Sequence, residues 1–153
     1  MAIVKAEIVE AIKDFFKTRK MYRAINCTAI TLVPKTTKPN IVKEYRPIAC
    51  CIVLYKMIAK ILAFRLQKVV PDIICEAKQA HDSIEWPFLR EMLTELRFPD
   101  QFVLWIMECV QIVNYTMMIN GEPSEPFNAA RGLRQGDPIS HFLFAIAMEY
   151  LSR

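Results

Sequence analysis

The sequence predicts a single domain of the α+β class, and three observations carry that prediction. Apolar residues recur at helical spacing in several separate stretches. Two short runs have the β-branched and aromatic character of strands and are bounded by proline or by Asn-Gly. Finally, 153 residues with 54% in the hydrophobic class supply apolar material for one core of ordinary size. The chain holds no internal repeat and no low-complexity tract.

Taken in order, Ile8, Ile12, Phe15 and Phe16 share one helical face, with Lys13 and Lys17 turned outward. Thr28 to Val33 is short, β-branched and stopped by Pro34, which predicts a strand. Between Pro34 and Pro47 the cations Lys35, Lys38, Lys43 and Arg46 mark a basic loop or a loosely paired hairpin. Ile58, Ile61, Leu62, Leu66 and Val69 then form a helical stripe that ends before Pro71; Lys56, Lys60 and Lys68 lie off it, so this helix carries one basic face. Trp86-Pro87 opens a helix with Phe88, Leu89, Met92, Leu93 and Leu96 along one side, proline being well suited to a first turn. Asp100 is expected to cap the next, whose buried face is Phe102, Val103, Ile106, Met107 and Val110. Tyr115 to Ile119 reads as a strand, Asn120-Gly121 as a tight turn, and Phe127 to Ala129 as the start of the return strand. Asp137-Pro138 marks a helix start, and Phe142 to Met148 is apolar all round, as a helix buried on several sides requires.

Composition narrows the function. A mean hydropathy of +0.20 with only 3 glycines is apolar for a free-standing domain. We therefore expect some apolar surface, on the helices at Phe88 to Leu96 and Phe142 to Met148, to favour self-association. Net charge is +4, with a pI near 8.8, a basic lean that suits polyanions without reaching the pI of about 9 that flags a nucleic-acid domain. The 5 cysteines, Cys27, Cys50, Cys51, Cys75 and Cys109, form no CxxC pair and stand near no histidine, so they read as small hydrophobes in a reducing compartment. The N-terminus lacks the apolar run of a signal peptide, and Lys56 and Lys60 interrupt the most membrane-like stretch. An intracellular protein, nuclear or cytoplasmic, without membrane contact is expected.

Four blocks carry a resemblance. The first is Asn26-Cys27-Thr28-Ala29-Ile30-Thr31-Leu32-Val33-Pro34-Lys35; the second runs from Glu44-Tyr45-Arg46-Pro47-Ile48 through Tyr55-Lys56 to Arg65-Leu66. The third is Asp82-Ser83-Ile84-Glu85-Trp86 with the helices that follow, and the fourth Arg131-Gly132-Leu133-Arg134-Gln135-Gly136-Asp137-Pro138-Ile139-Ser140, followed by Met148-Glu149-Tyr150-Leu151. In this order they resemble the reverse transcriptases of LINE-type non-LTR retrotransposons, particularly those of plant genomes. The resemblance implies a partial right-hand polymerase fold with fingers-like residues 1–80 and a palm-like fragment 81–153. It implies Arg46 and then Lys35 as contacts to a deoxynucleotide triphosphate, Gln135 and Gly136 as nucleotide or template contacts, and Arg134 as an electrostatic helper. The partners implied are an RNA template or RNA–DNA hybrid, held weakly. The residue types suit these roles, since cations on a strand-loop neutralise phosphate and a glycine lets a substrate approach the backbone.

The same resemblance exposes departures. In intact relatives a long stretch separates the counterparts of Ala80 and Asp82 and carries the first motif A aspartate, a ligand of the catalytic magnesium ions. Here Gln79-Ala80-His81 runs directly into Asp82-Ser83, and Asp82 matches the second, non-ligand aspartate. The adjacent aspartates of motif C would lie beyond Arg153, and the sequence has no Asp-Asp pair. We therefore expect no catalytic residue, no metal site and no polymerase activity in this chain, whose function is then that of a reverse transcriptase fragment. The alternatives are a non-enzymatic nucleic-acid-binding module and the product of a decayed element without a selected role.

Overall fold

Helices supply the core of the molecule, and one small sheet lies beside them. A computed structural model of the chain describes residues 2–69, 84–119 and 121–152. Its elements run α1 (Ala2–Thr18), β1 (Cys27–Pro34), a 3-10 turn (Val42–Glu44), β2 (Tyr45–Cys51), α2 (Val53–Val69), α3 (Trp86–Glu95), α4 (Asp100–Gln111), β3 (Asn114–Ile119), β4 (Glu122–Pro123), β5 (Phe127–Asn128) and α5 (Ser140–Leu151). The architecture is mixed α and β, with the predicted helices in the predicted order. Asp82 and His81 lie outside the described residues, as do Cys75 and Asn120.

The helical stripes read from the sequence become the core because each apolar face finds another. Ile58, Leu62 and Leu66 of α2, Leu89, Met92 and Leu93 of α3, Ile106 and Met107 of α4, and Leu143 of α5 are all fully buried. Each such side chain contributes about 1.5–3 kcal/mol relative to exposure. Helix α3 packs on α4, α5 on both α2 and α3, and α1 on α2. Phe15 of α1 is buried, Phe16 meets Trp105 edge-on at 4.9 Å, and the Arg65 guanidinium covers both rings at 5.1 and 5.3 Å.

The expected bare faces of α3 and α5 are corrected here: the two helices cover each other, and Phe142 to Ala147 are buried. What remains uncovered is a groove of about 290 Å³ between Ile84, Phe88, Phe144, Met148 and Leu151. The cysteines divide, with Cys51 and Cys109 buried, Cys27 half-buried and Cys50 exposed.

In the sheet, β1 is central. It pairs antiparallel with β2 from Thr28 opposite Cys51 to Pro34 opposite Tyr45, and parallel with β3 from Cys27 opposite Asn114. The basic segment is thus the end of a true hairpin, closed where the Lys35 amide donates to the Glu44 carbonyl at 2.7 Å. Two expectations change. Asp100 is the first residue of α4 and makes no side-chain cap; Pro99, at φ −55° and ψ 135°, occupies the cap position, and the acid serves the helix dipole instead. The return strand after Gly121 begins at once, with Glu122 opposite Ile119. It then breaks at Ser124 and resumes as β5 opposite Asn114 and Tyr115. Pro123 and Pro126 have no amide to donate, so a continuous ladder is unavailable to this segment.

Candidate nucleic-acid interface

The segment 131–137 leaves the sheet and enters α5 through a tight turn. The Asp137 amide donates to the Arg134 carbonyl at 3.3 Å, and Gly136 has a φ of +88°. Positive φ at the third residue only is the pattern of a type II turn, which explains glycine there. Open space surrounds the position of a Cβ on Gly136, so its backbone can be approached from solvent.

The residues on either side of that Gln135-Gly136 tip point inward. Arg134 and Asp137 have side-chain exposures of 3% and 2% and form an ion pair, Nε to Oδ2, at 3.2 Å. The Arg134 Nη1 donates to Thr28 Oγ1 at 2.9 Å, and Nη2 to the Cys109 carbonyl at 2.8 Å. Its guanidinium also lies 3.9 Å from the centre of the Tyr55 ring. The Tyr55 hydroxyl donates to Asp137 Oδ2, and Asp137 Oδ1 accepts from the Ile139 amide at 3.1 Å. One buried arginine thereby joins β1, α2, the end of α4 and the start of α5. Charge and hydrogen-bonding capacity are matched, which is what makes a buried ion tolerable.

Burial pushes the Tyr55 phenol well above its usual range, and the Asp137 carboxylate adds to the effect. Burial likewise raises the Cys109 thiol, again with Asp137 contributing. Burial opposes the charge on Arg134, but Tyr55 and Asp137 outweigh it and hold the guanidinium cationic. For Tyr55 and Cys109 the folded pKa lies above the unfolded one. Their contribution to stability is complete below the ordinary values of 10.0 and 9.0 and is lost as pH rises beyond them. The free energy of unfolding, measured by urea titration, should therefore decline above about pH 9, by about 1.4 kcal/mol per pH unit for each group whose unfolded form ionises. Cys109→Ala should delay that decline to about pH 10; identical profiles for the two proteins would show that the thiol titrates freely.

Outside the turn lies an open cleft of about 280 Å³, lined among others by Ile30, Pro47, Ala49, Tyr115, Phe127 and Gln135. Of the predicted contacts, Gln135 and Arg134 border this cleft, and Gln135 and Gly136 are exposed. Arg134 is 5% exposed and acts from beneath, as the anchor of the turn. Arg46 is exposed on β2 but, alternating with Pro47 and Ala49, belongs to the opposite face of the strand. Lys35 sits at the hairpin end, its ammonium donating to the Lys43 carbonyl at 2.8 Å. The structure thus separates two groups, a hairpin bearing cations and a turn bearing Gln135.

Sequence reasoning missed Tyr55, Thr28 and Asp137 as partners. The signal available was the opposite charge at Arg134 and Asp137, three residues apart around a Gln-Gly tip.

Among the described residues, no three of His, Cys, Asp and Glu converge to hold a metal ion. Two of the described acids are held by other partners: Asp137 by Arg134 and Tyr55, and Glu85 by Arg131 at 3.4 Å.

Residues 72–153, more than half of the chain, match the reverse transcriptase (RNA-dependent DNA polymerase) family. The chain belongs to that family. As a reverse transcriptase relative it is 21% identical over 174 residues to the transposon TX1 uncharacterized 149 kDa protein of Xenopus laevis, covering 89% of this chain and 13% of that protein. It is 24% identical over 166 residues to the retrovirus-related Pol polyprotein from type-2 retrotransposable element R2DM of Drosophila melanogaster, covering 85% and 16%. The chain spans less than a fifth of the length of these curated relatives. Both alignments run over more positions than the 153 residues of the chain, so the relatives carry residues without a counterpart here. Among the described residues, no helix is long and apolar enough to cross a membrane.

Proposed function

We propose that this chain is a reverse transcriptase fragment of LINE-type non-LTR retrotransposon origin, with fingers-like residues 1–80 and palm-like residues 81–153, that binds nucleic acid without polymerising it. Both relatives come from mobile elements, which supports the origin. The observation that carries the binding role is the turn at 134–137: two buried charges hold Gln135 and Gly136 outward beside the cleft. A turn fixed this rigidly presents its tip in one geometry to a template base or an incoming deoxynucleotide. Lys35, Lys38, Lys43 and Arg46 supply the phosphate contacts from the neighbouring hairpin, as point charges and one bidentate fork. The reading places the protein inside the cell, where RNA templates and RNA–DNA hybrids occur. The proposed lack of polymerase chemistry rests on the resemblance, which puts the motif A metal ligand of intact relatives in a stretch where this sequence runs directly from His81 into Asp82.

Titration of an RNA–DNA hybrid against salt tests the proposal. Replacing all four hairpin cations by alanine should weaken binding and reduce the slope of log K against log salt by about 3 to 4 units, near 0.9 per lost phosphate contact for a duplex. If the slope does not change, the hairpin is not the contact surface. If the unmodified chain shows no salt-dependent binding at all, the binding role itself is overturned and the chain is inert.

A further inference from the structure

Helix α2 carries a feature that neither the cleft nor the hairpin uses. Its sequence, VLYKMIAKILAFRLQKV, holds four cations and no acid. Steps of four residues place Lys56, Lys60, Phe64 and Lys68 in a single row along the helix, over about 18 Å, with neighbouring Cβ atoms about 5–6 Å apart. The opposite side of the helix, Tyr55, Ile58, Leu62 and Leu66, is buried in the core, so this row faces outward. Phe64 is 59% exposed, unusual for phenylalanine, and the Lys68 ammonium lies 4.6 Å from its ring centre. Lys56, Lys60 and Lys68 form no ion pair with any described residue.

We propose that this row is a second nucleic-acid contact, a track for a single strand. The lysines neutralise successive phosphates, and Phe64 offers a platform for one unpaired base. Uncompensated cations flanking an exposed aromatic ring are the combination that single-strand binding uses, because every base has a stacking face while only the backbone carries charge. An anionic membrane fits the row less well. A helix lying in a lipid interface needs its broad apolar face free, and that of α2 is already buried in the core. The inference rests on the nucleic-acid reading above but uses none of its residues.

The experiment measures binding of labelled oligouridine to the full chain by anisotropy across a salt series. The variant Lys56→Ala/Lys60→Ala/Lys68→Ala should lower the salt slope by about 2, near 0.7 for each single-strand phosphate contact. Phe64→Leu keeps the apolar surface and the charge, so affinity should fall on the order of tenfold with the slope unchanged. All these side chains lie on the exposed face, so urea midpoints should match that of the unmodified chain, which separates binding from folding. If the triple variant keeps its slope while the hairpin variant loses its own, the track is overturned and the hairpin proposal stands. If the unmodified chain binds no nucleic acid, both fall together. If the triple variant loses binding to phosphatidylserine vesicles but not to oligouridine, the row is a lipid contact and the proposal is overturned.

Discussion

Replacing Arg134 with methionine should cost the chain about 3–5 kcal/mol, the usual consequence of leaving the other half of a buried ion pair uncompensated. Native domains hold only about 5–15 kcal/mol in total, so the variant should be largely unfolded at moderate urea. The cost is this large because one guanidinium serves Asp137, Thr28, the Cys109 carbonyl and the Tyr55 ring together. Methionine fills much of the volume but satisfies none of those polar groups. Asp137→Leu alone should be of similar severity, whereas the double variant should recover part of the loss, with a coupling energy of about 0.5–3 kcal/mol. Gln135→Ala, one residue away and exposed, should shift stability by no more than about 0.5 kcal/mol. Urea unfolding followed by circular dichroism gives all four values. An unchanged midpoint for Arg134→Met would mean that the arginine is solvated and free to contact a ligand directly.

The second large effect is on catalysis. Given a primed RNA template, deoxynucleotides and magnesium or manganese, the 153-residue chain should extend no primer above a heat-killed control. On the reading proposed above, the motif A metal ligand has no counterpart where Ala80-His81 runs into Asp82, and groups that would only position a substrate, the role proposed for Gln135 and Arg46, do not lower the barrier at phosphorus. On the same reading, restoring the motif A segment should be necessary for any activity. Extension by the unmodified chain that Asp82→Ala abolishes would falsify the assignment of Asp82 as a non-ligand, and with it the proposed inactivity.

The helices were legible because burial acts on a 3.6-residue period: Leu89, Met92 and Leu93, or Phe102, Val103 and Ile106, could be assigned to core faces by spacing alone. The strand ending at Pro34 was legible for the matching local reason. What the sequence withheld was non-local or stereochemical. Arg-Gln-Gly-Asp reads as an exposed turn, because nothing near it announces that Tyr55 and Thr28, 82 and 106 residues distant from their partners, close over its two charges. Arg46 could be placed on a basic segment, but the face it occupies depends on the register of β2 against β1. The broken return strand follows from two prolines whose effect depends on which amides the ladder needs, and the displaced cap from Pro99 standing where a cap residue would be.

The parallel pairing of β1 with β3 also has a bearing on synthesis. A ribosome delivers β1 first, and its partner only after β2, α2, α3 and α4 have been made, while the hydroxyl of Thr28 waits a further stretch for an arginine 106 residues downstream. At about 5–20 residues per second the interval is on the order of ten seconds. Throughout it the hairpin of β1 and β2 carries an open edge of unpaired amides and carbonyls. Such an edge is a surface on which strand-to-strand aggregation can start, and it is present well before the turn at Arg134 exists to lock the fold.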